Sequence, residues 1–175
     1  MRSRLPKVLQ PLSGRPLLGH ILHALHDAGI GETVVVTGHA EDEVREGAAA
    51  ACPAGMTLSF ADQSRPMGTG DAVQRARGQV TTASVLIVNG DLGLLRADQI
   101  RAIATAQGTA AGQGLPADGE EITVATADVP DPTGLGRIVR TDAGLIGAIV
   151  EEAMVDDETR GIQEINVGLY RFDSA

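Results

Sequence analysis

What this chain lacks already narrows its reading. Tryptophan is absent, tyrosine and cysteine occur once each and phenylalanine twice. Aromatic residues at 2% leave few platforms for stacking the bases of a single strand. One cysteine, Cys52, cannot build an internal disulfide framework, which fits a reducing compartment. It stands before Pro53 with no histidine or second cysteine beside it, and reads as a loop or helix-end residue. No apolar run approaches the roughly 20 residues of a membrane span. The opening MRSRLPKVLQPL has no long apolar segment, which argues against a signal peptide. No acidic residue precedes Asp27, although the formal net charge is −9. The acidic total argues against nonspecific nucleic-acid binding. The basic start, with Arg2, Arg4, Lys7 and Arg15, suits a phosphate-bearing small molecule or a solvated terminus. A Ser-His-Asp constellation, a CxxC pair and an HExxH run are all missing, so the chemistry should not need a protein nucleophile.

What is present reads as an ordinary globular chain of 175 residues, 43% hydrophobic and 21% charged, long enough to bury a core. Leu17, Leu18, Ile21, Leu22 and Leu25 share one face at helical spacing and predict a helix over 16–29. Pro16 suits its first turn and Gly29 its C-terminal cap. His20, His23 and His26 lie opposite that stripe and read as a solvated face rather than a metal site. Further helices are expected over 41–51, from 71 to 76 and over 96–106. Strands are expected over 32–38, 56–61, 85–88, 122–127, 137–140, 145–150 and 165–172, with loops at 62–70 and 107–119. Apolar strands alternating with amphipathic helices predict an α/β fold, a parallel sheet covered on both faces. Ligands sit beyond the carboxyl ends of such strands, here the loops after Val36, Phe60 and Val88.

Those loops hold the candidate chemistry. Asp91, in Asn89-Gly90-Asp91, ends the most apolar strand; it could hold Mg²⁺ together with substrate phosphates, or simply make a turn. The Gly68-Thr69-Gly70 turn before a helix could bring backbone N–H groups to a ligand. Lys7 could contact a phosphate. The glycine-punctuated loop 131–137, DPTGLGR, is a close-binding loop or an ordinary turn, and Glu151 and Asn166 end and begin strands near it.

Met1 to Lys7, MRSRLPK, matches the end of the sugar nucleotidyltransferase signature. PKVLQPLSGRPLLGHIL, VVVTGH, Gln63 with MGTGDAV, NGDLGLLR, DPTGLGRIVR, IVEE and IQEINVGLYRFD follow in order. Together they resemble the uridylyltransferase domain of the bifunctional bacterial N-acetylglucosamine-1-phosphate uridylyltransferase/glucosamine-1-phosphate acetyltransferases, within the nucleotide-diphospho-sugar transferase family. The resemblance covers essentially the whole chain.

It implies a Rossmann-like sheet with helices on both faces and a single nucleotidyltransferase domain over 1–175. The family's glycine-rich loop and first strand would precede Met1. The rest of the domain, with a second metal-binding residue, an Asn, and the acetyltransferase β-helix would lie outside the chain. Without that central strand its neighbours would carry unpaired backbone groups, so marginal stability or association is expected. The family's trimer is not expected without the β-helix half.

The resemblance also implies roles. Lys7 would contact nucleotide phosphates, and Gln63 with the Gly68-Thr69 backbone would read uracil. Asp91 would hold Mg²⁺, and Gly136, Glu151 and Asn166 would hold the N-acetylglucosamine moiety. The implied partners are UTP and N-acetylglucosamine 1-phosphate, with no nucleic acid or membrane, in the cytoplasm. The implied reaction gives UDP-N-acetylglucosamine and pyrophosphate for cell-wall precursors. The alternatives are a nucleotidyltransferase using glucose 1-phosphate and a catalytically dead fragment that binds nucleotide sugar. The chain departs from the family at Asn89 (usually Tyr), Gly93 (usually Pro), Ala153 (usually Lys) and Val167 (usually Thr or Ser).

Overall fold

A computed structural model describes residues 5–65, 67–106 and 122–173. Arg2, Arg4 and the expected loop at 107–119 lie outside the described residues. The chain divides into two compact units, one of Met1–Thr82 with Val88–Ala104 and one of Ala83–Ile87 with Thr105–Ala175.

The first unit opens with a small antiparallel hairpin of β1 (Pro11–Leu12) and β2 (Arg15–Pro16) that was not legible in the sequence pattern. Ser13 and Gly14 join its strands with φ of 49° and 84°, the positive values a two-residue hairpin turn of matching twist requires. Helix α1 (Leu17–Asp27) follows and buries Leu18, Ile21, Leu22 and Leu25, each worth about 1.5–3 kcal/mol of apolar burial. Its end is a Schellman cap: Ile30 N–H donates to Leu25 O at 3.0 Å and Gly29 N–H to His26 O at 2.9 Å. The histidine face is half-buried rather than solvated. His20 Nε2 lies 2.8 Å from Leu12 O, and burial with the nearby Arg15 charge holds His23 below its ordinary pKa.

Strands β3 (Glu32–Thr37) and β4 (Thr57–Asp62) pair in parallel, Glu32 opposite Thr57 and Thr37 opposite Asp62. Between them α2 (Glu41–Ala50) starts on Glu41, Asp42 and Glu43, acidic residues that complement its N-terminal dipole. Cys52 lies just past its end, with Sγ 3.7 Å from Pro53 O. Ala40, before the first turn of α2, holds φ 57° and ψ 44°. That left-handed conformation costs a residue with a Cβ about 1–2 kcal/mol, and glycine's extra freedom in the unfolded chain returns only part of it. Ala40→Gly should therefore stabilise the chain by about 0.5–1 kcal/mol. A urea midpoint that does not rise would contradict this. Helix α3 (Thr69–Ala76) begins two residues earlier than the spacing predicts, and α4 (Ala97–Thr105) buries Ile100 completely.

The second unit corrects the expectation of a wholly parallel sheet. Its strands run in the order β5 (Ser84–Val88), β9 (Glu164–Asp173), β7 (Arg137–Arg140), β8 (Ile146–Val150), with β6 (Ile122–Asp128) also paired to β9. The β6–β9, β7–β8 and β7–β9 pairs are all antiparallel. Fold class is thus α/β, with a parallel pair in one unit and antiparallel pairs in the other. The hydrophobic pattern predicts strand existence but not direction, because a strand buried on both faces reads alike in either orientation. Among the described residues Ile138 and Leu169 are the largest fully buried side chains of this unit.

Arg140 clasps Glu164 through two bonds, Nε to Oε2 at 2.7 Å and Nη2 to Oε1 at 2.6 Å. The guanidinium, then a bond from Thr126, holds the Glu164 carboxyl below its ordinary 4.5. A depressed carboxyl pKa contributes stability above the unfolded value, and that contribution is lost as pH falls through the folded one. Glu164→Gln should cost on the order of 1 kcal/mol at neutral pH, since Arg140 is partly exposed. Its deficit should vanish once acid has protonated Glu164 in the parent. Denaturation followed against pH checks it, and a deficit that persists in acid would count against the pairing.

Candidate active site

The expected site residues gather into three clusters. In the first unit, Lys7 opens a 3-10 turn (Lys7–Leu9) and its Nζ lies 2.6 Å from Asp91 Oδ2. They are 84 positions apart in sequence, and both remain exposed, at 59% and 41% of their side chains. The ammonium and the carboxylate therefore share one small, water-accessible spot. Nearby in sequence, a Cβ at Gly93 would press on the tip of the Leu17 side chain.

A second cluster in the same unit lies where β4 leads into α3. Gln63 continues the β3–β4 pairing, its N–H donating to Thr37 O at 2.7 Å. Its side-chain amide donates to Gly68 O at 3.0 Å and to Asp71 Oδ2 at 2.9 Å. With both amide hydrogens engaged, Oε1 is left as an acceptor. Gly68 precedes α3 with φ 99° and ψ 176°, a region essentially restricted to glycine. A Cβ at Gly68 would meet nothing within 4 Å, so the backbone at Gly68-Thr69 faces open space. Among the described residues no side chain caps α3, so its first N–H groups have no partner there.

The third cluster, in the second unit, unites Gly136, Glu151 and Asn166. A Cβ on Gly136 would lie 3.5 Å from Glu151 Oε2, 3.6 Å from Ile149 Cγ2 and 3.7 Å from Asn166 Cβ. Gly136 O accepts from Asn166 N–H at 2.9 Å, and Asn166 Nδ2 lies 2.6 Å from the Tyr170 hydroxyl oxygen. Asn166 Oδ1 accepts from Gly168 N–H at 3.1 Å, where Gly168 at φ 84° bulges β9 away from β6. The loop into β7 is set by Asp131, whose carboxylate accepts from Thr133 N–H at 3.1 Å; the Thr133 bonds hold it below the ordinary carboxyl pKa. The result is a cradle in which the Glu151 carboxylate and the Asn166 side chain close on one half-buried glycine.

Four residues at these clusters escaped the reading of the sequence. Asp71 and Tyr170 hold Gln63 and Asn166, and Arg137 and Glu152 flank the cradle. Their signals were faint, because each acts by touching a residue distant in sequence or next to a motif position. Among the described residues no group of three or more His, Cys, Asp or Glu could hold a metal ion, and no helix is long and apolar enough to cross a membrane.

A family model described as the MobA-like NTP transferase domain matches residues 1–131. The bifunctional protein GlmU of Thermobifida fusca (strain YX) is 41% identical over the whole chain, which spans 35% of that protein. GlmU of Heliobacterium modesticaldum is 38% identical, again over the whole chain and 36% of that protein. The chain thus spans about a third of the length of these relatives. Among solved structures, HddC from Yersinia pseudotuberculosis superposes with a TM-score of 0.71 over 99% of this chain and 69% of its own, at 19% identity, a likeness of fold. The chain belongs to the MobA-like NTP transferase family, and its whole length is similar to a third of the bifunctional GlmU proteins.

Proposed function

We propose that this chain carries the sugar-1-phosphate nucleotidyltransferase site of a GlmU-type enzyme, transferring UMP from UTP to N-acetylglucosamine 1-phosphate. The observation that carries the reading is the Gly136 cradle. Of the three residues that the resemblance assigns to the sugar, spread over 31 positions, Glu151 and Asn166 lie within van der Waals range of where a Cβ on the third, Gly136, would stand. A carboxylate that accepts and an amide that both accepts and donates suit the hydroxyl groups of a sugar.

The nucleotide side is consistent with uracil. Its ring presents one N–H between two carbonyls, and Gln63 Oε1 with the free N–H groups at Gly68-Thr69 offers the complementary acceptor and donors. One solved relative in fold is described as complexed with GMP-PN, a phosphorylated guanine nucleotide; the base selected here would be set by the Gln63 loop.

In the reaction an oxygen of the sugar phosphate attacks the α-phosphorus of UTP. A new P–O bond forms, the bond from the α-phosphorus to the β-bridging oxygen breaks, and pyrophosphate leaves with that electron pair. A phosphate dianion is already nucleophilic at neutral pH, so the absence of a Ser-His-Asp or Cys-His arrangement is no obstacle. Lys7 would donate to the triphosphate oxygens and oppose their developing charge. A single exposed carboxylate, Asp91, is a poor resident metal site but fits a Mg²⁺ that arrives with the triphosphate, since that ion takes one or two carboxylates plus phosphates. When bound, the ion would neutralise phosphate charge. Lys7 engages only Oδ2 of Asp91, and a triphosphate would compete with that oxygen for the ammonium. The pair is exposed and worth only about 0–1 kcal/mol, so the exchange is easy.

Pyrophosphate release from UTP, with Mg²⁺ and N-acetylglucosamine 1-phosphate, tests the reading directly. Glucose 1-phosphate and CTP serve as competitor substrates, and the expected order puts both well below the proposed pair. Preference for glucose 1-phosphate would overturn the sugar assignment. Ligand binding with no pyrophosphate released would identify a nucleotide-sugar-binding chain without turnover.

A further inference from the structure

Among the described residues Arg137 is the charged side chain that the fold buries, with only 3% of its side chain exposed. A guanidinium out of water is costly unless its donors are met. Nη1 donates to Leu135 O and, at 2.8 Å, to Glu152 Oε2, while the buried Nε has no partner. An apolar side chain of similar volume would fill that space without an orphaned donor, so stability alone does not account for the arginine.

Its two partners suggest what does. Leu135 immediately precedes Gly136, and Glu152 immediately follows Glu151. The β7–β8 ladder ends at the Arg137–Val150 pair, so no strand pairing reaches Glu151. Beyond Val150 the chain turns into a short 3-10 segment (Glu152–Met154), and the Arg137–Glu152 ion pair is the tie that brings this segment back to the loop before β7.

We infer that Arg137 is a positioning residue for the sugar site: held by the Leu135 carbonyl and the Glu152 carboxylate, it fixes the spacing between Gly136 and the Glu151 carboxylate. This rests on the reading of the Gly136 cradle as the sugar site. A cradle that can relax by an ångström loses its grip on a small ligand, and such displacements cost about tenfold or more.

The test is titration calorimetry on this chain, with UDP-N-acetylglucosamine and UTP as separate ligands in the presence of Mg²⁺. Glu152→Ala is the main variant, because its half-exposed carboxylate can be removed without opening the core. Glu152→Asp is the conservative rescue, and Arg137→Lys keeps the charge on a side chain one bond shorter than the Nη1 that reaches both partners. Glu152→Ala is expected to weaken UDP-N-acetylglucosamine about tenfold and leave UTP unchanged, with Glu152→Asp recovering part of the loss. A purely structural role would lower the thermal midpoint without separating the two ligands, and that result overturns the inference. So does an equal loss for both ligands, or no loss. If the parent binds UTP but no sugar nucleotide, the cradle is not a sugar site and the inference fails while the nucleotide reading stands. If the parent binds neither, the proposed function fails first and takes the inference with it. Should Arg137→Lys not fold, the Glu152 variants decide alone.

Discussion

Asp91→Ala should abolish pyrophosphate release while leaving the chain folded. Removing one element of charge stabilisation around a transferring phosphoryl group costs about 10²–10³ in kcat, and here the lost group is the sole carboxylate expected to hold the cation. The structural cost is small. Asp91 is 41% exposed and its one ion pair, to Lys7, is of the exposed class worth about 0–1 kcal/mol. Asp91→Asn keeps the shape and loses the charge, so it should fall nearly as far. A steady-state assay at saturating UTP and sugar phosphate, paired with a thermal melt, reads both quantities. Turnover of Asp91→Ala within a few-fold of the parent would remove this residue from the chemistry.

Gly136→Ala should separate folding from sugar binding. The added Cβ would meet its neighbours at 3.5, 3.6 and 3.7 Å, ordinary contact distances, and Gly136 has no positive φ to strain. The chain should therefore melt close to the parent. The methyl group would nonetheless occupy the space between Glu151 and Asn166. Overpacking a fitted site by one methyl costs about 1–3 kcal/mol, or roughly ten- to a hundredfold in affinity for the sugar nucleotide. Binding of UTP, assigned to residues of the first unit, should not change. A variant that loses both ligands together, or neither, would show that the glycine does not line the sugar site.

These two experiments probe clusters of different legibility. Lys7 and Asp91 were nameable from the sequence because each sits in a short local motif, but their direct pairing was not. Nothing in a linear pattern brings together two residues 84 positions apart. The Gln63 loop was half legible. MGTGD announced a glycine turn before a helix, whereas the bond from Gln63 to Asp71, which decides that the amide presents its oxygen, is a choice of side-chain geometry. Arg137 was visible as part of DPTGLGR yet carried no sign of burial, since arginine is ordinarily exposed.

The sequence by itself determined the element series, because hydrophobic period, helix caps and turn residues are properties of a few neighbouring residues. The stripe of α1, its Schellman end at Gly29 and the apolar strands at 32–37 and 84–88 are all local consequences of composition. Only the tertiary structure decided strand direction, the half-burial of the histidine face and the meeting of Gly136, Glu151 and Asn166. Each of these depends on which distant surfaces the chain brings together to hide its apolar area. That free energy is non-directional and summed over the whole core, so no short window of residues contains it.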